Sequence, residues 1–196
     1  KPVVLNPWNV DALAEMEKET GKKVYNILQL RLHPAIVALR EKILKGGDGK
    51  KYAVDLKYIT ARGNWYQSSW KGDIFKSGGI ATNIGIHFFD ILLWIFGDVR
   101  TNIVDRHDSK TASGKLEFSN ATINWLLSID AEQLPSEAKN SSHSSYRSLV
   151  IDGEEIKFNN GFNDLHTGSY IEILSGKGVG LSEAKKVIQL LHDIRS

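Results

Sequence analysis

Tyr52-Ala53-Val54-Asp55-Leu56-Lys57-Tyr58-Ile59-Thr60 is the stretch that decides the fold. Tyr52, Val54, Leu56, Tyr58 and Thr60 fall on one side of an extended chain, while Asp55 and Lys57 fall on the other, because successive side chains of a strand point to opposite faces. The spacing predicts a strand in a sheet with one buried and one wetter face. Residues 99–106, 114–118, 122–129, 145–151 and 154–158 are further strand candidates. Ser119-Asn120 and Asp152-Gly153 are the hairpin turns, the second a pair suited to type I′ geometry. Hairpins in sequence build a largely antiparallel sheet, so the expected fold class is α+β, a large mostly antiparallel sheet with helices on one face.

The helices follow a different period. Behind Pro34, which suits a first helical turn, Ile36, Val37, Leu39, Ile43 and Leu44 line one face until Gly46-Gly47 stop it. Residues 164–174 and 182–194 carry Leu165, Tyr170 and Ile173, then Val187, Leu190, Leu191 and Ile194, at helical spacing. The most apolar stretch, residues 80–96, contains Asn83, His87 and Asp90 and falls short of the roughly 20 residues a membrane span needs, so it reads as a buried amphipathic helix. Residues 134–144 are polar and serine-rich, a mobile loop or an arm reaching a neighbour. At the start, a strand over 3–5, a capped helix over 6–21 ended by Gly21 and a strand over 24–30 spell a β-α-β unit too short to be a domain alone.

Composition narrows the function classes. With 25 basic against 23 acidic residues and a net charge of +2, no field of one sign is available to attract nucleic acid or a membrane. No cysteine is present, which excludes disulfides, thiolate–zinc sites and cysteine nucleophiles and is compatible with a reducing cytoplasm. His107, His143, His166 and His192 show no zinc-binding spacing, so no metal is expected. The chain opens at Lys1 without a methionine or a charged-then-apolar leader, and is read as cut from a longer protein.

Three constellations suit chemistry. In Gly78-Gly79-Ile80-Ala81-Thr82-Asn83-Ile84-Gly85-Ile86-His87-Phe88-Phe89-Asp90, paired glycines precede a helix that presents Asn83 and His87 on one face. Asp90 is placed to fix the tautomer of His87 as a general base requires, unless the two form a structural pair in the core. In Asn64-Trp65-Tyr66-Gln67-Ser68-Ser69-Trp70-Lys71-Gly72, three aromatics and a lysine suit the faces of a sugar or base and an anionic group. The alternative is that Trp65 and Trp70 fill a seam between helix and sheet. Gln29, Arg31 and His33 end the second strand, where α/β units usually hold ligands, although such an arginine can be merely solvated. No G-x-G-x-x-G turn follows a strand, and Gly46-Gly47-Asp48-Gly49 stands behind a helix.

These motifs, in this order, resemble the glucose-fructose oxidoreductase, inositol dehydrogenase and rhizopine-catabolism (Gfo/Idh/MocA) family of NAD(P)-dependent sugar oxidoreductases. Lys1-Pro2 looks like the end of that family's Glu-Lys-Pro motif, and residues 78–90 look like its Gly-Gly-x-x-x-Asp-x-Gly-x-His-x-x-Asp signature, with Asn83 in place of the usual aspartate. Residues 26–34, 62–66, 69–72, 165–167 and 169–170 are similar to the branch that oxidises UDP-N-acetylglucosaminuronic acid at C3.

The resemblance implies that residues 1–32 are the remnant of a Rossmann dinucleotide-binding domain and residues 33–196 a substrate-binding and oligomerisation domain. It implies NAD or NADP in the intact protein, with none expected on this chain alone, and a sugar nucleotide as small-molecule partner. It further implies His87 as base, Lys1 holding the reacting oxygen, Asn83 orienting the substrate, and Lys1-Pro2 beside the cofactor. Gln29, Arg31, Trp65, Tyr66 and Lys71 would grip the uronate and nucleotide, with Arg147 reaching across from another subunit of a dimer or tetramer formed through the sheet face. The alternatives are a non-catalytic sugar-nucleotide-binding or oligomerisation module, and a dehydrogenase for another sugar or polyol.

Overall fold

A computed structural model describes residues 1–47, 49–139, 145–157, 161–162 and 164–196. The nine-residue stretch is strand β1 (Tyr52–Thr60), and its burial alternates from Tyr52 to Tyr58 as the pattern requires. Strands β2 (Thr101–His107), β3 (Thr111–Glu117), β4 (Ala121–Ser128), β5 (Ser145–Ile151) and β6 (Glu154–Glu155) complete a sheet of order β2-β3-β4-β1-β5-β6 among the described residues. Every pairing is antiparallel except β1 with β4, which is parallel. The Asp152-Gly153 turn has positive φ at both residues, 51° and 83°, as a type I′ turn demands. The strand expected over 154–158 extends only to Glu155, and Phe158 lies outside the described residues, as do Asp48 and His143.

The helices are α1 (Pro7–Thr20), α2 (Pro34–Leu44), α3 (Trp65–Ser68), α4 (Ile74–Ser77), α5 (Gly79–Phe96), α6 (Ser136–Lys139), α7 (Leu165–Leu174) and α8 (Leu181–Arg195). Helix α5 lies on the buried face of the sheet. Tyr58 meets Phe88 with ring centroids 5.0 Å apart and Tyr52 meets Phe96 at 6.1 Å, so α5 runs opposite to β1. Helices α2 and α8 pack against it from outside. Each fully buried Phe, Leu or Ile in this layer contributes about 1.5–3 kcal/mol, and Phe89, Ile91 and Leu92 are completely enclosed. The segment Ile74–Phe96 is long and apolar enough to cross a membrane, but 72% of its most apolar 18 residues are buried inside the domain, as expected of a core helix. Ala53, Asp55 and Lys57 of β1 and Thr122 and Asn124 of β4 face outward on the opposite, uncovered side of the sheet.

The first residues correct one expectation. Residues 3–5 form no strand, residues 24–30 contribute a single bridge between Asn26 and Val179, and Gln29–Leu32 coils into a 3-10 turn. An extended segment needs a neighbour to take its backbone hydrogen bonds, and among the described residues only Val179 does so here. Val4 and Val24 instead join Val10, Leu181, Ala184 and Ile188 in a small second core between α1 and α8. Of the polar stretch 134–144, residues Ser136–Lys139 form helix α6 and residues 140–144 lie outside the described residues.

Candidate active site

Two consecutive glycines make the site's scaffold possible. Gly78 and Gly79 both have φ of +74°, a left-handed conformation open to glycine at little cost, and together they turn the chain from α4 into α5. A Cβ on Gly78 would also stand 2.6 Å from Thr82 Oγ1. From Ile80 to Leu92, α5 is buried at every position except Asn83 and His87. These two, four residues apart, form an accessible stripe on an otherwise enclosed helix.

The stripe is lined by polar atoms with nothing to bond. Neither ring nitrogen of His87 is exposed and neither has a partner, although part of the residue is accessible. Burial pushes its pKa down to about 3, helped by the positive charges of Lys1 and of the chain's first amino group and by His166. Asn83 Nδ2 and Tyr66 Oη are likewise buried without partners. Burial raises the Tyr66 pKa against the opposing influence of Arg62 and of the neighbouring Asn83 amide, which approaches the phenol without completing a hydrogen bond. Gln29, on the 3-10 turn packed against α5, leaves Oε1 unbonded too. Buried polar groups in native structures are nearly always satisfied, so a set of orphans around one stripe marks a place for a polar ligand.

Asp90 does not serve His87. Its carboxylate takes two bonds from Arg31, Nε to Oδ2 at 2.8 Å and Nη2 to Oδ1 at 2.7 Å, while Arg31 Nη1 reaches Glu183 at 2.6 Å. Three of the five guanidinium donors are thereby committed inside the domain. The turn at Asp90 faces the 3-10 segment rather than the His87 ring, which spacing along the helix could not foretell.

The aromatic loop divides in two. Tyr66 fills the seam at 2% exposure, whereas Trp65 and Trp70 stand 53% and 58% exposed. Lys71 Nζ lies 5.4 Å and 5.9 Å from their ring centroids, so the seam-filling alternative for the tryptophans fails. Arg147 is sandwiched in its own chain between Tyr58 and Phe162, 5.0 Å and 5.1 Å from the ring centroids. Among the described residues no carboxylate pairs with it. Lys1 shares a cavity of about 340 Å³ with Val3, Tyr25, Asn26, Ile27 and His166. His166 is the residue that site selection from sequence missed, its only signal being its place in a stretch of family likeness.

A one-sided sheet whose buried central helix opens an Asn-His stripe matches the C-terminal domain of the Gfo/Idh/MocA oxidoreductases. Residues 40–132 match the family model described as oxidoreductase family, C-terminal alpha/beta domain. The chain is 45% identical to the WlbA (WbpB) dehydrogenase of Thermus thermophilus, solved in complex with NAD and alpha-ketoglutarate, with a TM-score of 0.93. It covers 100% of this chain and 63% of that one. The same Thermus thermophilus enzyme, solved in complex with NAD and UDP-GlcNAcA, gives 44% identity, a TM-score of 0.93 and coverage of 100% and 62%. WlbA from Bordetella pertussis shares the fold at 19% identity and a TM-score of 0.77, over 99% of this chain and 66% of that one. The chain therefore spans somewhat under two thirds of the first two relatives.

Proposed function

We propose that the intact protein is an NAD(P)-dependent, cytoplasmic dehydrogenase that oxidises a hydroxyl of an acidic sugar nucleotide, C3 of UDP-N-acetylglucosaminuronic acid being the best fit, in cell-surface polysaccharide sugar biosynthesis. The observation that carries this reading is the Asn83–His87 stripe with its unbonded polar rim. A polyhydroxylated ring supplies the alternating donors and acceptors that such a rim lacks. On this reading residues 1–32 complete a cofactor-binding half, and residues 33–196 bind substrate and assemble with a second copy through the uncovered sheet face.

His87 is neutral across the physiological range, because burial and nearby positive charge keep its pKa near 3. Its lone pair is therefore free, and for it to take the proton of a substrate hydroxyl, the bound substrate and the rest of the intact protein would have to bring its pKa back toward the operating pH. The Lys1 ammonium would hold the same oxygen, and the Asn83 amide would orient the ring. Gln29, Trp65, Tyr66 and Lys71 would hold the remainder of the sugar nucleotide, and the stacked Arg147 guanidinium, paired with no carboxylate among the described residues, would take its carboxylate. The fit to a nicotinamide is partial. A neutral, unpartnered histidine beside a lysine suits a hydride-transfer site, yet no glycine-rich turn among the described residues would cradle a pyrophosphate. When bound, the nicotinamide would supply the hydride acceptor, with Lys1 and Pro2 alongside it.

Calorimetric titration of the intact protein with UDP-N-acetylglucosaminuronic acid, with UDP alone as control, followed by an NAD reduction assay, tests the proposal. Turnover that disappears in His87→Ala is expected. Binding without turnover would replace the reading with a non-catalytic sugar-nucleotide module, and turnover on neutral polyols alone would replace the substrate.

A further inference from the structure

Arg31 belongs to a three-element charge bridge. Its guanidinium grips Asp90 of α5 through two parallel bonds and Glu183 of α8 through a third. Asp90 is 1% exposed and the Arg31 side chain 11%, so the pair is deeply enclosed. The Trp94 ring, one turn further along α5, lies 5.9 Å from the guanidinium carbon. A buried ion pair adds little net stability compared with apolar residues of similar volume, because desolvation offsets its attraction. What a bidentate fork does provide is geometry, since both bonds must keep length and plane at once.

That geometry bears on the base. Asp90 is three residues beyond His87 on the same helix, and the tip of a side chain about 5–6 Å from a helix axis moves roughly 1 Å for every ten degrees of rotation. Arg31 also sits in the 3-10 turn that carries Gln29, whose Oε1 is buried without a partner, and that turn packs against α5. The bridge thus ties the helix bearing the proton acceptor to the segment bearing a polar contact, and anchors both to α8.

We propose that Arg31 is a positioning residue and not a substrate ligand: by clamping Asp90, and being clamped by Glu183, it sets the rotation of α5 at His87 and the distance from His87 to Gln29. This rests on the reading of His87 as the base. Without the clamp the ring would still be present and neutral but misplaced relative to the reacting hydroxyl.

The test uses the full-length protein carrying Asp90→Asn, Arg31→Lys or Glu183→Gln, with two readouts. Carbon-13 histidine NMR follows the His87 ring without needing turnover, and steady-state kinetics follow kcat and KM. Asp90→Asn and Arg31→Lys are expected to displace the His87 ring resonance in folded protein and to lower kcat by about 100-fold, with KM changed by no more than about twofold. Glu183→Gln, which leaves the Asp90 fork intact, should lower kcat less. If Asp90→Asn fails to fold, Arg31→Lys, which keeps the charge and loses the fork, carries the test. A fall in melting temperature with kcat and the His87 resonance unchanged would overturn the proposal, as would a rise in KM alone, the behaviour of a substrate ligand. If the wild-type protein does not turn over, the proposed function fails, and the NMR arm by itself decides the clamp.

Discussion

A Cβ on Gly85 would stand 2.5 Å from Leu127 Cδ1. Helix α5 and strand β4 approach so closely at this point that only hydrogen fits, and Phe89 on the next turn closes the remaining side at 2.8 Å. The glycine between Asn83 and His87 is thus a packing requirement that holds the site helix down on the sheet. Gly85→Ala gains about 0.5–1 kcal/mol of helix propensity but incurs overpacking of about 1–3 kcal/mol. A net loss of about 1 kcal/mol or more in urea unfolding is expected, and Gly85→Val should lose more. An alanine variant at least as stable as the wild type would show that the layers can separate freely.

The pKa of His87 links the site to stability. Its folded value of about 3 lies below the ordinary histidine value, which is near 6.5. As pH falls below about 6.5, the unfolded chain takes up a proton that the folded chain refuses. The contribution of His87 is therefore fully present above that pH and is lost as pH falls toward 3, by up to about 1.4 kcal/mol per unit. In His87→Leu that slope should vanish between pH 6.5 and 4.5, and the difference between the two unfolding series isolates it from other groups. Parallel series would mean that His87 is solvated.

Arg147 stands between two rings, and among the described residues no carboxylate pairs with it. Arg147→Met keeps most of the stacking volume and removes the charge. Its melting temperature should stay close to that of the wild type, while the KM for an acidic sugar nucleotide should rise about 10–100-fold, the worth of a charged hydrogen bond of roughly 1.5–3 kcal/mol. The same substitution should leave the KM for the uncharged glucose analogue almost unaltered. Equal losses on both substrates would remove the carboxylate from this position.

Trp65 is more than half exposed and touched by Lys71. Its replacement by alanine should change stability by no more than about 0.5 kcal/mol. If it stacks on a base or sugar, KM should rise about tenfold or more, in keeping with roughly 1–3 kcal/mol per stacked base, with kcat near the wild-type value. A large drop in kcat at constant KM would move Trp65 from binding to the chemical step.

The strands and long helices were legible because their signals are local. The alternation from Tyr52 to Tyr58, the Asp152-Gly153 turn and the Gly78-Gly79 pair depend on a few adjacent residues, and all three appear where the pattern put them. The β-α-β reading of the first thirty residues failed for the complementary reason. Runs such as 24–30 are apolar enough for a strand, but a strand exists only when another takes its hydrogen bonds, and among the described residues the Asn26–Val179 bridge is all that this neighbourhood offers. The aromatic loop was half legible, since sequence groups Trp65, Tyr66 and Trp70 without saying which one turns inward.

By itself the sequence determined that Asn83 and His87 share one face of a glycine-led helix, that no thiol chemistry is available, and that the motifs follow the order of a sugar oxidoreductase. Helical period and residue type are sufficient for the first two, and the third rests on resemblance to a known family. Only the tertiary structure decided that Asp90 belongs to Arg31, that Arg147 is stacked within its own chain, and that His166 bears on His87. Residues 59 positions apart, such as Arg31 and Asp90, meet because the sheet and its covering helices fold back on one another, and no spacing along the chain encodes which of several carboxylates a guanidinium will find.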